Sequence, residues 1–197
     1  MIKVIGICGL IGSGKNTAAE HLMREHEYLG VSFAETLKDA ASCIFGWDRD
    51  MLEGATSADR EQREIKDEWW SERLGFDVSP RYMLQFLGTE VMRNNLHTDI
   101  WSLATEKRII EMSQEYPWAK FVISDVRFPN EVAMIRRLGG KVIHVRRGDL
   151  PEWFGQDPDD IHASETAWNN ERFDATIRND GTIEELNQNI DNLLKEW

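Results

Sequence analysis

The sequence predicts an α/β fold built on a parallel sheet with helices on both faces. Three observations predict it. Short apolar runs of strand length alternate with helical patterns along the chain. The first run, Ile2 to Cys8, passes through Gly9-Leu10-Ile11-Gly12-Ser13-Gly14-Lys15-Asn16-Thr17 straight into a helical pattern from Lys15 to about His26. A later run, Lys120 to Ser124, ends in a carboxylate, Asp125. Ligands of open parallel sheets gather outside the carboxyl ends of the strands, so the Gly-rich loop and this acid are expected at one edge.

Strand, Gly-rich turn and helix together are the context of a phosphate-binding loop. Glycines let the backbone curl until its N–H groups form a nest for phosphate oxygens. The helix N-terminus adds partial positive charge, and Lys15 adds a mobile cation for β- and γ-phosphates. The residue after such a lysine is usually Ser or Thr, whose hydroxyl binds Mg²⁺. Here it is Asn16, which can offer its carbonyl oxygen directly or hold a water on the metal. Thr17 can reach an α-phosphate oxygen. A glycine turn that holds nothing is the competing reading, and it leaves the lysine at the helix start unexplained.

The other elements follow in order. Tyr28 to Phe33 reads as a short strand and Ala34 to Phe45 as a helix, with Leu37, Ala40, Ala41 and Ile44 on one face. The stretch 46–79 is the least regular, with many charges beside Trp69 and Trp70, and is expected to be a helical insert or lid. A solvated helical hairpin without a role is the alternative. Pro80 opens a helix that turns Met83, Leu84, Phe86, Leu87 and Val91 inward and ends at Asn94-Asn95. Thr98 or Asp99 caps a helix through Trp101, Leu103, Ala104, Ile109 and Met112. After the strand ending at Asp125, Asn130 to Leu138 is a helix stopped by Gly139-Gly140. Lys141 to Arg146 is a strand, and Gly148 to Ile161 a polar loop. Phe173 to Ile177 is a last strand, Asn179-Asp180-Gly181 a turn, and Thr182 caps the final helix.

The 197 residues suit a single domain, 1–197, with 41% hydrophobic and 29% charged residues. A net charge of −12 argues against extended nucleic-acid binding, which needs a basic face. Two cysteines, Cys8 and Cys43, make no disulfide framework and fit a reducing cytoplasm. The first residues read as a strand rather than a signal peptide, and no apolar run approaches the roughly 20 residues that span a membrane. His97, His144 and His162 lack metal-ligand spacing, so no zinc site is inferred. His21 and His26 read as outer-face helix residues.

Asp125 is placed to hold Mg²⁺ through water or to orient an attacking oxygen, and capping the next helix is its competing role. Arg127, two residues on, offers a bidentate grip on phosphate. Glu131 could accept from a sugar hydroxyl or a base. Trp101 carries a large flat ring suited to packing on a base or deoxyribose, or to an ordinary core position. Gly88 allows close backbone approach, and Thr89 adds a hydroxyl.

With these residues in place, the chain resembles the phage deoxynucleoside monophosphate kinases, of the P-loop kinase fold. Four blocks carry the resemblance: Gly9 to Thr17; Arg81 to Trp101 (RYMLQFLGTEVMRNNLHTDIW); Ser124-Asp-Val-Arg127 with Glu131 and Gly140 to Val145; and His162-Ala-Ser-Glu165 with Ile177 to Thr182. The family likewise places a non-hydroxyl polar residue and then Thr after the lysine. The resemblance implies transfer of the γ-phosphate of ATP, with Mg²⁺, to a deoxynucleoside 5′-monophosphate. It implies ATP contacts from Gly12, Gly14, Lys15, Asn16 and Thr17. It implies acceptor contacts from Arg60, Arg81, Gly88, Thr89, Trp101, Asp125, Arg127 and Glu131, with the metal near Asn16 and Asp125. Lys15, Asp125 and Arg127 would carry the chemistry. Ile11 stands where the family has a basic residue that reaches the acceptor. The loop at 147–162 is a second candidate for a lid. Related kinases are often dimers, so a homodimer is an open expectation. Two alternatives stay open on the residues alone: a P-loop kinase of another phosphorylated metabolite, phosphomevalonate-like, and a nucleotide-binding switch that transfers nothing.

Overall fold

In the computed structural model, which describes residues 3–149 and 172–197, the first apolar run forms β1 (Lys3–Cys8) and the helix after the Gly-rich loop forms α1 (Lys15–His26). The chain continues through β2 (Tyr28–Val31), α2 (Glu35–Phe45), α3 (Arg49–Glu53), α4 (Ser57–Glu64), α5 (Glu68–Leu74) and α6 (Pro80–Gln85). A π-helix (Phe86–Arg93), α7 (Ile100–Glu115), β3 (Lys120–Val126), α8 (Pro129–Arg137) and β4 (Lys141–Arg146) follow. The last elements are β5 (Ala175–Arg178) and α9 (Ile183–Lys195). The stretch 150–171, which holds most of the polar loop and the His162-Ala-Ser-Glu165 block, lies outside the described residues. Contacts divide the chain into two compact units, Met1–Ser32 with Thr105–Trp197, and Phe33–Ala104.

The first unit holds the sheet, in the order β2-β3-β1-β4-β5, and every pairing is parallel. Successive side chains of a strand point to opposite faces. On one face Ile5 and Ile7 of β1 pack with Ala18, Ala19 and Leu22 of α1 and with Leu186 and Ile190 of α9. On the other face sits Gly6, where an added Cβ would lie 2.4 Å from Ile135 Cδ1 of α8. Burial on both faces explains why the strands read as near-continuous apolar runs and not as alternating ones. Thr182 and Glu185 form a capping box that starts α9 where the sequence places it.

The second unit is helical. Its core is Ala41, Met51 and Leu52, with Phe45, Trp47 and Leu84 against it. Four side-chain caps punctuate it: Asp48 accepts from Met51 N, Thr56 from Asp59 N, Asp67 from Trp70 N and Ser79 from Tyr82 N. Two of the three tryptophans of 46–79 are tied into the unit by hydrogen bonds, while Trp69 is exposed. Trp47 Nε1 donates to Asp67 Oδ2 at 2.8 Å, and Trp70 Nε1 donates to the Phe45 carbonyl at 3.1 Å.

Two expected faces are corrected. On α2, Ala40 and Ile44 are exposed, and the inward stripe is Leu37, Ala41 and Phe45, spaced by four. On α7, Leu103 is exposed, while Trp101, Ser102, Thr105 and Ile109 are buried. On α2 Phe45 takes the inward position expected of Ile44, and on α7 the small polar residues Ser102 and Thr105 take inward positions that a hydrophobicity pattern leaves outside. The helix after Pro80 also changes pitch at Phe86. Its π-type bonds, such as Asn94 N to the Thr89 carbonyl, widen the turn around Gly88.

Candidate active site

β1 ends at Cys8, and Cys8 pairs with Val126 of β3 across a register shift. Neighbouring strands lie about 4.8 Å apart, so Gly9, just past β1, and Asp125, the penultimate residue of β3, lie on adjacent strands at the sheet's carboxyl edge. β1 is also where the chain reverses direction of growth, since β2 and β3 lie to one side and β4 and β5 to the other. That edge is the crevice where doubly wound sheets bind ligands.

The loop is shaped for close approach. Gly9 has φ +148°, and a Cβ there would lie 2.2 Å from the Val145 carbonyl oxygen. Gly14 has φ +101° and forms the N-cap of α1 without any side-chain cap. A helix N-terminus without a side-chain cap suits a phosphate site. Lys15 Nζ donates to the carbonyls of Gly9 and Leu10, both at 2.7 Å, so the cation closes over the loop itself. Asn16 is exposed at the head of the helix, and Thr17 is half-buried. Ile11 is 83% exposed at the loop tip and adds no charge. Cys8, directly below, is no nucleophile: burial pushes its thiol up to about 12, against the opposing pull of Lys15.

At the neighbouring strand end, the Ser32 hydroxyl donates to Asp125 Oδ2 at 2.7 Å. Arg127 is exposed just beyond. Glu131 is only 2% exposed, and its Oε2 accepts from the backbone N–H groups of Arg127 (2.6 Å) and Phe128 (3.0 Å). Its carboxylate therefore holds the turn that carries Arg127 instead of facing outward to a sugar. The turn after β3 lies beyond the last strand pairing, and Glu131 satisfies two of its N–H groups.

The remaining candidates belong to the second unit. Arg60 Nη1 donates to the Gly54 and Ala55 carbonyls, and Arg81 pairs with Glu64 at 3.2 Å. Gly88 is buried, and a Cβ there would lie 2.9 Å from Leu37 Cδ2. Thr89 follows, half-buried. Trp101 is 5% exposed, and its Nε1 donates to the Gly88 carbonyl at 2.9 Å. The ring presents no open face for a base, and the core reading of this residue replaces the stacking one.

Two residues escaped the sequence reading. His21 is not on an outer face. It is 6% exposed, and its Nε2 and that of His26 both lie 2.7 Å from Asp191 Oδ1 of α9. These ligand atoms fall within 4.8 Å of one another, a spacing open to a metal. The buried His21 Nδ1, however, has no hydrogen-bond partner among the described residues. A metal on Nε2 would put a proton on Nδ1 and bury an unpaired N–H, so the cluster fits a hydrogen-bonded clamp between α1 and α9 better than a metal centre. The second residue is Asn179, read as part of a turn within the Ile177 to Thr182 block and given no contact of its own. It is 8% exposed, and its Nδ2 donates to the Ser13 carbonyl at 2.9 Å.

A glycine-and-lysine loop feeding an uncapped helix, next to a strand-end aspartate on a parallel sheet, gives the class: an α/β protein with the loop and sheet of the P-loop pattern. The chain belongs to the deoxynucleotide monophosphate kinase family. The family model matches residues 50–190, a span that starts beyond the Gly-rich loop. A protein of Acanthamoeba polyphaga mimivirus named as a deoxynucleotide monophosphate kinase is 33% identical over 195 residues, covering 95% of this chain and 93% of that protein. The deoxynucleotide monophosphate kinase of Enterobacteria phage T4 is 31% identical over 132 residues, 66% of this chain and 48% of its own length. Among solved structures, TT1252 from Thermus thermophilus aligns over 99% of this chain and 97% of its own, at a TM-score of 0.48 and 17% identity. No helix among the described residues is long and apolar enough to cross a membrane.

Proposed function

We propose that this protein transfers the γ-phosphate of ATP to a deoxynucleoside 5′-monophosphate, giving ADP and the deoxynucleoside diphosphate. Family membership supplies the substrate class. The observation that carries the chemistry is the adjacency of Gly9 and Asp125 at the carboxyl edge, set by the pairing of Cys8 with Val126. A phosphate oxygen of the acceptor attacks the γ-phosphorus, and the bond to the β–γ bridging oxygen breaks. Catalysis of such a step rests on position and on neutralising charge.

In this reading Gly12, Gly14 and the first N–H groups of α1 hold the polyphosphate of ATP. Lys15 leaves the Gly9 and Leu10 carbonyls to meet the β- and γ-phosphates, and Thr17 reaches the α-phosphate. Asn16 and Asp125, through water, would hold Mg²⁺, which neutralises phosphate charge when bound. The oxygen-rich donor set suits that hard cation. Arg127 grips the transferred or accepting phosphate, and Arg60 and Arg81 take the acceptor phosphate by exchanging their present partners for it. Gly88 and Thr89 line the acceptor. Trp101 and Glu131 act one step back, by holding Gly88 and the Arg127 turn. The helical stretch 46–79 serves as the lid that excludes water from the reacting phosphate.

The test is a turnover panel of deoxy- and ribonucleoside monophosphates with ATP and Mg²⁺, read as ADP release and as diphosphate formed. Lys15→Met is expected to lower kcat by roughly 100-fold or more while leaving the circular dichroism spectrum unchanged. Full activity in that variant would refute the assignment.

A further inference from the structure

We propose that Asn179 is a positioning residue for the phosphate-binding loop: its side-chain amide sets the Ser13–Gly14 peptide in the orientation that binds ATP. The proposal rests on the reading of the loop as the ATP site. Three contacts support it. The Asn179 N–H donates to the Arg146 carbonyl at 2.7 Å, which fixes its backbone beside the end of β4. Its Nδ2 donates to the Ser13 carbonyl, 166 positions away in sequence. An added Cβ at Gly14 would stand 2.4 Å from that same Nδ2, so the amide packs directly on the left-handed residue that turns the loop into α1.

The mounting is firm. Asp180 accepts from the Gly148 N–H at 2.6 Å and from Arg178, and the Thr182–Glu185 capping box begins α9 three residues on. Leu186 of α9 lies 3.5 Å from the same added Cβ at Gly14. The geometry of a trans peptide turns this into a functional device. The C=O of one residue and the N–H of the next point in opposite directions across the peptide plane. Drawing the Ser13 carbonyl toward Asn179 aims the Gly14 N–H the other way, as the phosphate nest requires. The contact also needs a donor. Asparagine supplies one, while an isosteric carboxylate sets negative charge against both the carbonyl and the incoming phosphate.

The experiment measures MgATP binding by calorimetry, together with KM for each substrate, for the full chain and for Asn179→Asp and Asn179→Ala. Both variants are expected to weaken ATP roughly tenfold or more, while the acceptor KM stays within about twofold, since one hydrogen bond to a buried carbonyl is lost. In Asn179→Asp the deficit relative to wild type should shrink as pH falls, because a protonated carboxyl can donate to Ser13 again. Wild-type ATP affinity in both variants, an equal loss for both substrates, or failure of both variants to fold would each overturn the proposal. A wild-type protein that binds MgATP but phosphorylates no monophosphate would end the kinase reading and leave this one standing.

Discussion

Ser32 and Asp125 are joined across two neighbouring strands: β2 pairs with β3, and the Ser32 hydroxyl just past β2 donates to Asp125 Oδ2 at 2.7 Å. The bond takes one carboxylate oxygen and so fixes the plane of the other. Asp125→Asn is expected to lower kcat by roughly 100-fold, since a neutral amide neither attracts a metal water nor orients an acceptor oxygen. Ser32→Ala keeps the charge and removes this one bond to the carboxylate, so a loss of only about 3- to 10-fold in kcat is expected. Steady-state kinetics at saturating ATP checks both. Equal losses in the two variants would mean that Asp125 acts through Ser32 and not on the reacting groups.

His144 is the group whose protonation should be visible in stability. It lies on β4 opposite Cys8, and its pKa falls from 6.5 to about 4, first through burial and then through the positive charges of Arg146 and Lys15. The folded pKa lies below the unfolded one, so the unfolded chain takes up a proton that the folded protein refuses. Stability is unaffected by this group above pH 6.5, is lost as pH falls from about 6.5 to about 4, and changes no further below that. The ring is partly exposed, so after allowance for solvent screening the loss is about 1 to 2 kcal/mol. Urea unfolding at several pH values checks it, and His144→Gln should flatten the curve over that window relative to wild type.

What could be read from residues alone follows the range of the interactions. The loop and α1 depend on neighbours within one turn, and α1 runs from Lys15 to His26 as its pattern indicates. The parallel order follows from alternation of strands and helices, and the Gly9–Asp125 edge follows from parallel order. Tertiary partners decided what was missed. His21 is inward because Asp191 of α9 waits there, and nothing within α1 announces it. Glu131 looks like a ligand-facing acid until the N–H groups of Arg127 and Phe128 are seen to donate to it. Asn179 had a signal that could have been used. It lies two residues past a strand predicted to end at Ile177, in a parallel sheet whose carboxyl edge also holds the loop, where a polar residue is more than a turn former.

Trp101 separates a structural role from a binding one. Its Nε1 holds the Gly88 carbonyl inside a π-helical turn whose other bonds are stretched to i+5 spacing. Phenylalanine at this position keeps a ring but cannot donate, which removes the side-chain bond to the buried Gly88 carbonyl. Losing one such bond costs about 0.5 to 1.5 kcal/mol. Trp101→Phe should therefore lower the unfolding free energy by about that amount. If the ring acts only by holding Gly88, the acceptor KM should rise no more than about 5-fold, with the ATP KM unchanged. A rise of about 100-fold in the acceptor KM with unchanged stability would mean that the indole touches the acceptor itself. Chemical denaturation and acceptor titrations on the same protein preparation decide between the two, because a lost internal hydrogen bond lowers stability first and a lost substrate contact raises KM first.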